Sequence, residues 1–216
     1  KTYVGRPETD PARLMAMSHL GNGLHEVGRH EEELSVREAD LATMRRLGAP
    51  EANLLCAQGN LANTYDMLGR VEEALRLRRD IHSGWLKLYG EEHEMTLFSA
   101  NNLVLSLLDL ERCAEAKSFL RRTLPVAQRV LGETNDTLLK MRMMYAAALC
   151  NDTDATLDDI REAVTTFEET TRTSRRVFGS GHPIVVEFEE KIRVSREILR
   201  AREASEPVGA MAPGDA

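Results

Sequence analysis

Apolar residues recur along the chain at helical rather than strand spacing. Leu54, Leu61, Tyr65 and Leu68 are separated by seven, four and three residues, which places them on one helix face. Gly69-Arg70 interrupts, and Val71, Ala74, Ile81, Trp85 and Leu88 then resume the period up to Gly90. The next stretch reads the same way, with Leu97, Ala100, Leu103 and Leu107, then Cys113, Ala116, Leu120, Leu124 and Leu131. A third pairs Leu138, Met141, Met144 and Ala148 with Ile160, Ala163, Phe167 and Val177. Each is a pair of amphipathic helices, and Gly90 fits a helix C-terminus because it carries no Cβ penalty in the left-handed region. Pro125 lies inside one predicted helix and predicts a kink or a lost hydrogen bond there.

The pairs repeat. Gly28 and Gly69 are 41 residues apart, and Leu61 and Leu103 are 42 apart. An apolar-Gly step closes each unit at Leu47-Gly48, Tyr89-Gly90, Leu131-Gly132 and Phe178-Gly179. The last interval is 47 residues, its excess falling at Asn151 to Asp159. A period of about 42 predicts a solenoid in which each helix pair buries its second face on the next. Small residues (Gly21, Ala62, Ala74, Ala116) mark close helix approaches, and Leu20, Leu61, Tyr65 and Leu103 are expected to fill the space beside them. The expected divisions are the end of a preceding repeat at 1–11, repeats at 12–52, 53–94, 95–136 and 137–182, a capping helix at 183–204 and a disordered tail at 205–216. The capping helix sets Val185, Phe188, Ile192 and Leu199 against a charged back that includes Glu189, Lys191 and Arg193. Lys1 is not Met, and the array is expected to continue upstream with an exposed apolar N-terminal edge, giving a monomer or weak self-association.

Asn60-Leu61-Ala62, Gly69-Arg70, Glu73-Ala74, Gly90-Glu91-Glu92-His93 and Gly179-Ser180-Gly181-His182-Pro183 together resemble tetratricopeptide repeats of the long, 42-residue kind found in kinesin light chains and nephrocystin-3-like proteins. In that family an apolar-Gly-x-x-His-Pro-type turn ends each unit. Here Glu94 stands in place of the proline, Thr134-Asn135-Asp136 lacks both His and Pro, and Arg142-Met143-Met144-Tyr145 replaces the Asn-Asn-Leu-Ala pattern. The resemblance implies an all-α, right-handed α-solenoid (superhelix) of antiparallel helix pairs. It also implies a concave groove lined by the first helix of each pair, where a peptide segment of a partner would bind. Carried over position by position, the groove candidates are Ser18, Asn22, Gly59, Asn63, Asn101, Leu105 and Arg142, with Ala146 beside them. Side-chain amides suit a peptide because each can both donate and accept, and Arg142 suits a carboxylate. Asn60 and Asn102 fall one residue off that face. The chaperone-type clamp for a C-terminal carboxylate needs several Lys and Arg along successive first helices, and only Arg142 fits it.

Composition narrows the chemistry. The 216 residues carry a net charge of −7 and no basic patch, so neither nucleic acid nor an anionic membrane is an expected partner. No run of 18 apolar residues is present. Three scattered cysteines build neither a disulfide framework nor a zinc spacing, which points to a reducing, cytoplasmic setting. The six histidines include no His-x3-His or His-Glu-x2-His pair, so no metal is expected; His93 and His182 share one turn position and predict a repeated structural hydrogen bond. Asp152, Asp154, Asp158 and Asp159 fail as a calcium loop, because Leu157 and Ala163 stand where Gly and Glu are required. Asp154 or Thr156 as a helix N-cap explains that cluster. Met141, Met143 and Met144 at helical spacing read as core filling. Cys56 falls at an inward position, whereas Cys113 and Cys150 fall on apolar faces. No phosphate loop, nucleophile elbow, cofactor motif or catalytic constellation appears. The expectation is a non-enzymatic scaffold that binds a peptide in its groove. The alternative is a regulatory or docking segment of a larger enzyme or signalling protein.

Overall fold

The computed structural model describes residues 11–205, which form nine helices and no strand. They are α1 (Pro11–Glu26), α2 (His30–Arg46), α3 (Glu51–Met67), α4 (Val71–Tyr89), α5 (Glu94–Asp109), α6 (Cys113–Leu131), α7 (Asp136–Asn151), α8 (Leu157–Phe178) and α9 (Pro183–Ser205). The fold class is all-α, built from tetratricopeptide-like helix pairs. Residues 1–10 and 206–216 lie outside the described residues, and with them the expected N-terminal edge and nearly all of the expected tail.

The chain divides into two compact units, Lys1–Leu110 and Glu111–Ala216. In the first, α1 to α5 pack in chain order, each on the next. One core cluster joins α2 to α3 through Leu34, Leu41 and Leu61, with Leu54, Tyr65 and Leu68 against it. A second joins α3 to α4 through Leu55, Ala62, Ile81 and Trp85. Leu61 therefore packs back on the preceding pair, as a stacked repeat requires. Leu20, the equivalent residue of α1, does not fill such a space: it is 53% exposed. No helix pair precedes α1 among the described residues. Gly21 does mark a close approach, but to a side chain: a Cβ there would stand 2.9 Å from the Arg37 guanidinium.

In the second unit α6 to α9 likewise pack in chain order. Leu138, Leu139, Met141 and Leu149 are buried with Ile160 and Phe167; Met141 and Met143 fill core, whereas Met144 is half-buried. Ala146, a groove position by repeat register, is also fully buried. Pro125 has no N–H to offer, yet α6 runs on to Leu131.

The turns follow the repeat. Gly28 and Gly90 take φ of +72° and +82°, where a side chain would be strained. Glu111 occupies the equivalent of Gly28 and Gly69 and carries φ +55°. His93 N-caps α5 by accepting from the Met95 N–H at 3.1 Å. His182 accepts from the Ile184 N–H at 3.3 Å. The rings stack on the aromatic four residues earlier, Tyr89 at 4.3 Å and Phe178 at 5.0 Å between centroids. Asn135 takes the same capping role for α7, accepting from the Thr137 N–H at 2.8 Å. Thr156 caps α8 in a capping box with Asp159. Asp152 pairs instead with Lys117, 2.8 Å away.

Candidate functional site

A cleft of about 270 Å³ lies in the first unit between α3 and α5, floored by α4. Its α3 wall is Cys56, Gly59, Asn60 and Asn63, and its α5 wall is Met95, Phe98, Ser99 and Asn102. Each set runs i, i+3, i+4, i+7, one stripe of a helix. The floor is Leu55, Ile81 and Trp85, all buried, with Arg78 at one end. Phe98 is 51% exposed, a large ring left at the mouth. The site thus pairs an apolar floor with a rim of three amides.

Arg78 organises that rim. It is 6% exposed and donates to Asn63 Oδ1 at 3.0 Å, to Asp66 and to Ser106. Fixing Asn63 Oδ1 leaves the amide N–H groups of Asn63 to face a ligand. Burial holds the Asp66 carboxyl above its ordinary value despite the guanidinium beside it. The first helix pair repeats the device: Arg37, 7% exposed, donates to Asn22 Oδ1 at 2.8 Å. His82, half-buried behind Ser99 with Nδ1 3.1 Å from Ser99 Oγ, is pushed down by its burial.

Gly59 and Asn63 line the cleft. Ser18 donates its hydroxyl to Asp40 at 3.0 Å and so turns toward α2. Asn101 donates to Asn102 Oδ1 at 3.4 Å, and its own Oδ1 is buried without a partner. Leu105 is 44% exposed on α5, away from the cleft lining. Arg142 belongs to the second unit, where Glu133 stands 2.7 Å from its guanidinium. Asn60 and Asn102, read from sequence as off the groove face, both line the cleft. The reason is geometric. A cleft between two successive first helices is walled by opposite flanks of the same face. The α5 lining is accordingly shifted three positions back in repeat register from the α3 lining, so Asn101 and Leu105 do not mirror Gly59 and Asn63.

Trp85, Phe98 and the two arginines were not singled out from sequence as site residues. The signals existed: Arg37 and Arg78 are 41 apart, the Gly28–Gly69 interval, and Phe98 lies 42 beyond Cys56. Cys56 is exposed at the cleft; Cys113 is buried, and burial pushes the Cys150 thiol up to about 11. Among the described residues no helix is long and apolar enough to cross a membrane.

Comparison with known proteins agrees with this architecture. The tetratricopeptide repeat family model matches residues 53–129. The chain is 25% identical over 142 residues to the clustered mitochondria protein homolog of Aspergillus clavatus, covering 63% of this chain and 11% of that protein. The homolog from Emericella nidulans is 23% identical over 133 residues, covering 61% of this chain and 11% of that protein. The chain therefore spans about a tenth of the length of these curated relatives. Among solved structures, BtubC (BKLC) from P. vanneervenii superposes with a TM-score of 0.66 at 16% identity, covering 96% of this chain and 89% of that one. A Podosopora anserina protein of nearly identical, kinesin light chain-type TPR-like repeats gives 0.67 at 20% identity, covering 90% of this chain and 94% of that one. Residues 53–129 match the tetratricopeptide repeat family model, and the described residues share the helix-pair fold of these two solved repeat proteins.

Proposed function

We propose that the chain is a non-enzymatic interaction scaffold that takes an extended segment of a partner protein across the face of α1, α3 and α5. Tetratricopeptide repeats are protein–protein interaction modules, which supports the general role. The cleft between α3 and α5 carries the finer reading. An apolar side chain of the ligand enters over Trp85 and Ile81, flanked by Phe98 and Met95. The amides of Asn60, Asn63 and Asn102 pair with the ligand backbone, giving affinity without demanding one sequence. Asn22, held by Arg37 as Asn63 is by Arg78, extends the face toward α1. The three free thiols suit a reducing, cytoplasmic setting.

The test is recovery of partners on the immobilised chain, followed by Asn63→Ala combined with Phe98→Ala. Both residues are exposed, so the fold is retained. Retention of the partners is expected to fall at least tenfold, as loss of an aromatic anchor does at interfaces (about 2 kcal/mol or more). Partners that bind the double variant as well as the parent would overturn the reading. A second reading is favoured by the small share of the relatives' length that the match covers: the repeats would dock another segment of the same, longer polypeptide. Binding of a separately made flanking segment in trans, lost in the same double variant, would support that reading over an external partner.

A further inference from the structure

His25 lies in the last turn of α1 and His30 opens α2, with a tight turn between them at Gly28. That turn sets the two imidazoles edge to face, 5.5 Å between centroids. Between them stands Glu33, one turn into α2 and only 1% exposed. The repeat makes this residue conspicuous. Its equivalents are Ala74 and Ala116, both fully buried. A carboxylate at a buried alanine position costs several kcal/mol unless it is compensated. Here the compensation is divided between its oxygens. Oε1 accepts from Thr64 at 2.9 Å and from Arg37 at 3.3 Å. Oε2 faces His25 Nδ1 at 3.1 Å and His30 Nδ1 at 3.2 Å.

Those two distances have a second meaning. Metal–nitrogen and metal–oxygen bonds of about 2.0–2.1 Å in a tetrahedron set neighbouring ligand atoms about 3.3 Å apart. Two of the three edges of an N,N,O ligand face are therefore already near that length, and all three atoms lie within 4.8 Å of one another. Thr64 and Arg37 hold the far oxygen, orienting the carboxylate as an outer shell does around a metal. Asp40, which faces Arg37 along α2, offsets the guanidinium charge. The His25 side chain is 43% exposed, which leaves an entry path and room for water as a fourth ligand.

We propose that His25, His30 and Glu33 bind a single divalent transition-metal ion, zinc foremost, through Nδ1, Nδ1 and Oε2. Two imidazoles and one carboxylate suit zinc, and the open fourth position goes to water. In the complex each ring offers its Nδ1 lone pair to the ion and carries its proton on Nε2. The ion ties the end of α1 to the start of α2 and, through Thr64, bears on α3. None of the three ligands lines the cleft between α3 and α5.

The experiment uses the full chain, stripped with chelator and titrated with zinc chloride alone by calorimetry. Cobalt chloride is followed in parallel by the visible absorption of the tetrahedral ion. The expected result is one ion per chain and a zinc-dependent rise in the midpoint of thermal unfolding. His25→Ala removes a half-exposed side chain and is expected to weaken zinc about tenfold or more, since outer-shell partners alone are worth about 10–100-fold. His30→Ala is expected to do the same and to abolish the cobalt spectrum. Glu33→Ala, which installs the residue of the other repeats, is the third arm; if it fails to fold, the histidine variants decide. Zinc affinity and stoichiometry unchanged in both histidine variants would place the ion elsewhere and overturn the proposal, as would a wild-type chain that gives no binding heat and no cobalt spectrum.

Discussion

Replacing Arg78 by Met tests whether the buried guanidinium holds the first unit together as its geometry implies. Methionine keeps the apolar stem and removes the charge and its donors. Three acceptors lose their partner: Asp66, Ser106 and Asn63. Breaking a buried ion pair by deleting one member costs about 3–5 kcal/mol. The Asp66 side chain is 26% exposed, so water recovers part of this and the lower end applies. Ser106, 1% exposed, can turn its hydroxyl to its own helix and adds about 1 kcal/mol at most. Asn63 is exposed and costs little. The expected loss is about 3 kcal/mol at pH 7. Burial already raises the Asp66 pKa with Arg78 present, and without Arg78 it rises further. The penalty therefore shrinks as pH falls and Asp66 is protonated. Urea unfolding is to be followed through Trp85, the one tryptophan, which sits in the α3–α4 core. Adding Asp66→Asn should restore about 2 kcal/mol, a coupling that a double-mutant cycle measures directly. A loss below about 0.5 kcal/mol, or no recovery with Asp66→Asn, would show that the network is surface decoration and refute the reasoning.

Two further substitutions probe the second unit and its entry. Glu111→Gly relieves a non-glycine residue at φ +55°. The strain is about 1–2 kcal/mol and the added unfolded-state entropy returns about 0.4–1, so a gain of about 0.5–1 kcal/mol is expected, read as a rise in thermal midpoint; a fall would mean the side chain is doing something the backbone strain does not outweigh. The Lys117–Asp152 pair sets a pH window. Its hydrogen bond lowers Asp152 below the ordinary 3.8 and raises Lys117 above the ordinary 10.5. A depressed carboxylate contributes stability above its unfolded pKa and loses it as pH falls through the folded one; a raised lysine contributes below its unfolded pKa and loses it as pH rises through the folded one. The pair's contribution should thus be full between about pH 4 and 10, and Lys117→Met should flatten the acid limb of the stability profile. Parallel profiles for the two proteins between pH 2 and 5 would exclude the pair as its source.

The helices were legible because stacked pairs impose a strict apolar spacing, and the turns because each needs a residue that tolerates positive φ. The capping role of His93 and His182 was legible from their shared place after an aromatic-Gly step. Asn135 escaped notice because the residue type changed while the backbone demand did not. The cleft was only half visible. Repeat register pairs Cys56 with Phe98 and Asn60 with Asn102, and both members of each pair line the cleft, whereas Asn101 and Leu105, the equivalents of Gly59 and Asn63, do not. Asn63 is legible because it falls on the expected face; Asn60 and Asn102 are not, because the lining reaches one residue beyond that face on both walls. Leu20 shows the complementary limit: its spacing is that of a core residue, but burial needs a neighbour, and periodicity within one helix does not supply it. Arg142 was read as a cation awaiting an anion, whereas Glu133, nine residues earlier and across a turn, already meets it.

Departures from the repeat are where the first unit acquires its chemistry. Equivalent positions share a backbone environment, so a change of residue type there must be matched by a local compensation. Arg37 and Arg78 are followed in the third helix pair by Leu120, fully buried. The polar layer is thus confined to the first two pairs. Gly21 gives up its side chain to make room for Arg37, and Asn22, Asn63, Asp66 and Ser106 supply its acceptors and those of Arg78. An apolar residue would fill the same space at lower desolvation cost, as Leu120 does. What it could not do is fix the orientation of a rim amide on the neighbouring helix. Asn63 held by Arg78 presents its donors to the cleft before any ligand arrives, which removes part of the ordering cost of binding. Arg78→Met should for that reason weaken binding of a cleft ligand even at temperatures where the variant is fully folded, and the loss should exceed that of Asn63→Ala because the α5 wall is released through Ser106 as well.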